Sequence, residues 1–223
     1  MWNRITLKER GKAAFRRNYW KCVVVALIAV VIVGASLTVR GGTGETHTYD
    51  HGFSLRYYST MTGTAVLCFT VLHIFVFNVL SIGCSKFFLR NAQGSATLDQ
   101  VLDGFRGSYG RNVLTMFLMK LYVALWSLLL VIPGIVKAYS YMLVPYILAD
   151  NPDIPRGEAL RLSERLMVGN KMNAFVLDLS FIGWHILSAL TCGILGVLYV
   201  NPYIEATKAE LYHALIARPD CEL

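Results

Sequence analysis

The stretch NVLTMFLMKLYVALWSLLLVIPG, Asn112–Gly134, decides how the rest of the chain is read. From Asn112 to Ile132 it carries a single charge, Lys120, before Pro133-Gly134 closes it. About 20 predominantly apolar residues are enough to cross the hydrocarbon of a bilayer. Composition extends that reading to the whole chain, which has 223 residues, 55% hydrophobic and 16% charged, and a mean hydropathy of +0.49. Soluble domains carry about 25% charged residues. The excess of apolar residues falls in runs, at about Trp20–Val39, Thr62–Cys84, Asn112–Ile132, Ile135–Ala149, Met172–Thr191 and Gly196–Ala214. The expected fold is an all-α membrane domain over residues 1–223, with about six transmembrane helices arranged as three hairpins. The shortness of the fourth run and the polar end of the sixth leave four or five spans as the alternative.

The formal net charge of +7 does not point to nucleic acid, because the basic residues follow the membrane pattern. Seven of them (Arg4, Lys8, Arg10, Lys12, Arg16, Arg17 and Lys21) precede the first apolar run. With six spans, 17 of the 21 basic residues fall on the side of the N-terminus, and only Arg40 and Arg56 fall opposite. That asymmetry places both termini in the cytoplasm. A cleaved signal peptide is the competing reading of VVVALIAVVIVGASL, but the basic region before it is long and further spans follow. The Gly-rich loop Arg40–Thr60 contains His47, Asp50 and His51. With no third well-placed ligand it reads as a solvated loop, and no metal or cofactor is expected. The five cysteines show no CxxC spacing and read as packing residues.

Each hairpin is preceded by a segment expected to lie as an amphipathic helix at the cytoplasmic interface. TLKERGKAAFRRNYWK (Thr6–Lys21) and TLDQVLDGFRGSYGR (Thr97–Arg111) both open on a capping-box pattern, Thr6 with Glu9 and Thr97 with Gln100. IPRGEALRLSERLMVGNK (Ile154–Lys171) places Leu162, Leu166 and Met167 on one face and Arg161 and Arg165 on another. SYMLVPYILAD (Ser140–Asp150) also aligns with VLYVNPYIEAT (Val197–Thr207), matching Pro145 with Pro202 and Tyr146 with Tyr203. These correspondences suggest internal repeats over residues 1–93, 94–152 and 153–217.

KERGKAAFRRNYWK, SKFFLRNAQGSATLDQVLDGF, IPGIVKAYSYMLVPYILADNPDI, SERLMVGNKMNAFVLDLSFIGWHIL and LYVNPYIEATKAELYHAL together resemble a bacterial integral-membrane family catalogued as domain of unknown function 975. The resemblance covers nearly the whole chain apart from the outer loop, and LDLSFIGW and NPYIEAT are its most specific parts. It implies a multi-pass protein of the bacterial cytoplasmic membrane and brings no activity, substrate or catalytic residue with it.

Ionisable residues within spans are the first candidates for function. Asp178 and Lys120 lie at compatible depths, roughly 9 and 13 Å from the cytoplasmic ends of their helices at 1.5 Å per residue. They are expected to pair. Lys137 follows Pro133-Gly134 and can snorkel, and Glu205 follows Asn201, Pro202 and Tyr203. Pro145 and Pro202 free the carbonyls of Tyr141 and Leu198. Such paired breaks mark transporter sites in some folds and are ordinary kinks in others. HExxH, GxSxG and paired aspartates at one depth are missing, so no enzyme is expected. Two functions remain. One is a non-catalytic component that binds lipid, a membrane-protein partner or a second copy, in envelope homeostasis or protection against membrane-active peptides. The other is a small-solute or ion transporter using Asp178, Lys120 and Glu205. The few, nearly balanced intramembrane charges favour the first.

Overall fold

The computed structural model describes residues 2–29, 68, 71–106, 109–191 and 193–217, and among these every regular element is helical. In chain order they are α1 (Arg4–Arg17), α2 (Tyr19–Ala29), α3 (His73–Ala92), a 3-10 segment (Leu98–Phe105) and α4 (Tyr109–Leu129). Then follow α5 (Val131–Ser140), α6 (Val144–Asp150), α7 (Arg156–Met167), α8 (Lys171–Leu179), α9 (Ile182–Leu190) and α10 (Asn201–Ile216). The loop with His47, Asp50 and His51 lies outside the described residues, as does the half of the expected first span beyond Ala29.

Four helical stretches are long and apolar enough to cross a membrane: α3, α4, α5 with α6, and α8 with α9. These are the helices of a membrane protein. The expected sixth span is not among them, because α10 carries Glu205, Lys208 and Glu210. Its apolar positions, including Ile204, Leu211, Tyr212 and Leu215, are instead buried against protein. α10 packs on α1 and α3, α3 packs on α6, and α7 packs on α4, α5 and α6.

Helix ends depart from the sequence reading in instructive ways. Proline was expected to stop the third span at Pro133, yet α4 ends at Leu129 and α5 begins at Val131, so Pro133 stands in the first turn of the returning helix. First-turn amides have no intrahelical acceptor, so a residue without an N–H costs nothing there. Pro145 and Pro202 likewise stand in the first turns of α6 and α10. Thr6 does not cap α1: the Asn3 Oδ1 accepts from the Ile5 amide at 3.0 Å, three residues earlier. Thr97 does precede a helical segment, but that segment is a 3-10 helix and receives no side-chain cap from it. The expected Gly94 stop is present, at φ 87°. The Ser95 amide donates to the Arg90 carbonyl and the Gly94 amide to Asn91, at 3.0 and 3.1 Å, the paired bonds of a left-handed helix end.

The 3-10 segment is held backbone to backbone on α3. A Cβ at Gly83 would lie 1.8 Å from the Val101 carbonyl oxygen, and one at Gly104 would lie 2.5 Å from that of Val79. Both contacts are with main chain, which cannot swing aside. Gly83→Ala is therefore expected to lower the thermal midpoint in detergent, at a cost of about 1–3 kcal/mol as for other overpacked sites. Gly110→Ala, where nothing lies within 4 Å of the added carbon, should leave the midpoint unchanged or slightly raised. Equal midpoints for the two variants would contradict this packing.

Candidate functional site

Two of the four long stretches are broken in the middle. In the first break α5 stops at Ser140, and the Val144 amide donates to Tyr141 at 3.1 Å instead of to Ser140. The freed Ser140 carbonyl accepts from the Ser163 hydroxyl of α7 at 2.7 Å. Pro145 leaves the Tyr141 carbonyl without its usual i+4 donor, and the Val144 amide takes that place. In the second break α8 stops at Leu179, and the Phe181 amide turns back to Asp178 at 3.0 Å. The Ser180 carbonyl accepts from the Lys8 ammonium at 3.3 Å, and the same ammonium stands 4.3 Å over the Phe181 ring. Every freed group named here has found a donor.

The polar side chains gather around these breaks. The Tyr139 hydroxyl, one residue before the first break, donates to Asp178 Oδ2 at 3.0 Å, two residues before the second. The Tyr146 hydroxyl, just after the first break, donates to Glu205 Oε2 at 2.8 Å. Lys208 Nζ donates to Glu205 Oε1 at 3.4 Å, and Asp178 acts on Lys208 through its charge. The Tyr146 ring stacks on Tyr212 at 6.2 Å between centroids, and the Tyr212 hydroxyl donates to Asp150 Oδ2 at 3.0 Å. Tyr203 serves as packing, with its ring edge-on to Phe181 at 5.3 Å. Asn201 opens α10 after a turn of wider, i+5 winding at Gly196–Val200. The result is one cluster, Tyr139, Tyr146, Asp178, Glu205 and Lys208, drawn from α5, α6, α8 and α10.

The expected Lys120–Asp178 pair does not form. Lys120 donates to the Asn78 Oδ1 of α3, while Asp178 faces α5. Rise along a helix sets depth but not direction around the axis, and these two residues point to different neighbours. Lys137 pairs with Glu164 of α7 at 2.6 Å and lies 5.9 and 5.5 Å from the rings of Trp126 and Tyr141. Three participants carried no intramembrane signal in the sequence reading: Asn78, Glu164 and Lys208. The i, i+3 spacing of Glu205 and Lys208 was the one local clue to the last of them. Among the described residues no group of three metal-ligating side chains comes together.

Two outcomes follow from this geometry. Tyr146→Phe leaves Glu205 short of a donor and is expected to cost about 1–3 kcal/mol, read by unfolding in detergent. Tyr122→Phe, at an exposed position, should stay within about 0.5 kcal/mol. The Lys137 ammonium, donating to Glu164, holds that carboxyl below the ordinary glutamate value against the opposing effect of partial burial. A depressed folded pKa adds stability above the unfolded value, and that contribution is lost as pH falls through the folded one. Glu164→Gln should therefore lower stability at neutral pH and flatten its loss on acidification. Parallel acid profiles for wild type and variant would contradict the assignment.

No curated protein and no solved structure matches the chain. All five residues of the cluster fall in the segment 128–219, which matches the model of the family described as "Protein of unknown function (DUF975)".

Proposed function

We propose that the chain is a non-catalytic, multi-pass component of the bacterial cytoplasmic membrane that binds lipid or a membrane-protein partner, with both termini on the cytoplasmic side. The observation that carries this reading is that each of the candidate ionisable side chains is already engaged by its own chain. Asp178 is held by Tyr139, Glu205 by Tyr146 and Lys208, Lys120 by Asn78, and Lys137 by Glu164. Groups that carry a solute must exchange partners during a cycle, whereas here they tie the broken helices to one another. Lipid binding is supported by α7, which buries Leu162, Leu166 and Met167 and leaves Arg161 and Arg165 exposed for anionic headgroups. A stabilising role in the envelope, or protection against membrane-active peptides, fits a component of this kind.

The test is reconstitution into vesicles with ion and solute flux assays, comparing wild type with Asp178→Asn at matched folded amounts. Wild type is expected to give no flux above protein-free vesicles, and the variant to unfold at lower temperature. Wild-type flux that disappears in a fully folded Asp178→Asn variant would overturn the proposal in favour of transport.

A further inference from the structure

The turn between α4 and α5 has no polar side chain from Leu128 to Gly134, yet it is the most exposed part of the hairpin: Leu128 is 86%, Val131 69% and Ile132 77% accessible. A turn that emerges into water is normally rich in Gly, Asn, Asp and Ser. Here the Leu130 amide donates to Trp126 and the Gly134 amide to Leu130, at 3.0 and 3.2 Å, so the tip keeps backbone bonds to itself. The turn between α9 and α10 behaves alike. The Gly193 amide donates to Ser188 at 2.8 Å and that of Val197 to Gly193 at 3.1 Å, while Leu190 and Ile194 are 77% and 64% accessible. No Asp, Glu, Lys or Arg occurs from Leu121 to Val136 or from Leu179 to Ile204. Exposed apolar tips with internally bonded backbone suit hydrocarbon.

Charges fix how far the tips can reach. α7 packs along α4, α5 and α6, pairs with Lys137, and exposes Arg161 and Arg165. Those arginines cannot face acyl chains cheaply, so the polar boundary lies near Lys137. From there to Leu130 the helix rises only about 10 Å. On the other hairpin, Lys8 reaches the Ser180 carbonyl from α1, whose Arg4, Glu9 and Arg10 are exposed. From Phe181 to Leu190 the rise is about 14 Å. The hydrocarbon of a bilayer is about 30 Å thick.

We infer that the α4–α5 and α8–α9–α10 hairpins are re-entrant: they dip into the acyl chains of the cytoplasmic leaflet and return, without crossing. The inference rests on the membrane placement and not on the scaffold role. It keeps the C-terminus on the side from which α4 enters, since each hairpin leaves and returns at the same face.

Single cysteines at Leu130 and Ile194, and at Asp153 as an aqueous reference, test it in a full-length chain with the native cysteines replaced. The chains are reconstituted in phosphatidylethanolamine–phosphatidylglycerol vesicles. The expected result is that Leu130→Cys and Ile194→Cys resist a membrane-impermeant maleimide from either side, while Asp153→Cys reacts from one. A bimane at either tip should be quenched most by nitroxides deep on the acyl chain. Maleimide labelling of a tip from the side opposite Asp153→Cys, or strongest quenching by headgroup nitroxides, overturns the inference. Release of the chain by carbonate would overturn the membrane placement itself. The two tips are separate variants on separate hairpins, so misfolding of one leaves the other to decide.

Discussion

The hydrogen bond from the Tyr139 hydroxyl to Asp178 joins the broken middles of two neighbouring apolar stretches, and the rest of the structure depends on what it holds in place. A helix interrupted away from water exposes carbonyls and amides that nothing in hydrocarbon can satisfy. This chain supplies the missing donors from outside the broken helices: Ser163 of α7 for Ser140, and Lys8 of α1 for Ser180. The Tyr139–Asp178 bond ties α5, which Ser163 of α7 holds, to α8, which Lys8 of α1 holds. Asp178 is thus one part of a mutual restraint among α1, α5, α7 and α8.

The same arrangement explains why α10 can carry Glu205 and Lys208. It is buried among α1, α3 and other protein rather than facing lipid, and its carboxylate has both a tyrosine hydroxyl and an ammonium within reach. A buried carboxylate stripped of such partners would be costly. Gly11 lets α1 approach closely enough to cover this helix, since a Cβ there would stand 2.7 Å from the Thr207 hydroxyl. The polar centre and the close helix crossing support one another.

Much of this was legible in the sequence, and the failures have physical causes. The apolar runs foretold helices at α3, α4 and Lys171–Leu190, and the spacing of Leu162, Leu166 and Met167 foretold the buried face of α7. Pro145 and Pro202 pointed to helix interruptions, and both stand at helix starts. The break at Ser180-Phe181 was invisible because no proline or glycine marks it; it is held by Lys8, a contact across 172 positions of sequence. Lys120 and Asp178 were matched by depth alone, and the direction of each around its helix sent them to Asn78 and Tyr139. Nothing in the sequence marked Tyr139 and Tyr146 as carboxylate partners, because a tyrosine's hydroxyl partner is set by tertiary placement.

A double-mutant cycle between Tyr139 and Asp178 tests the central claim most directly. Unfolding free energies of Tyr139→Phe, Asp178→Asn and the double variant, measured in one detergent, give the coupling between the two side chains. A restraint that fixes the two breaks predicts a coupling of about 1 kcal/mol or more, with the double variant little worse than Asp178→Asn alone. Strictly additive losses, or an Asp178→Asn variant as stable as wild type, would contradict it.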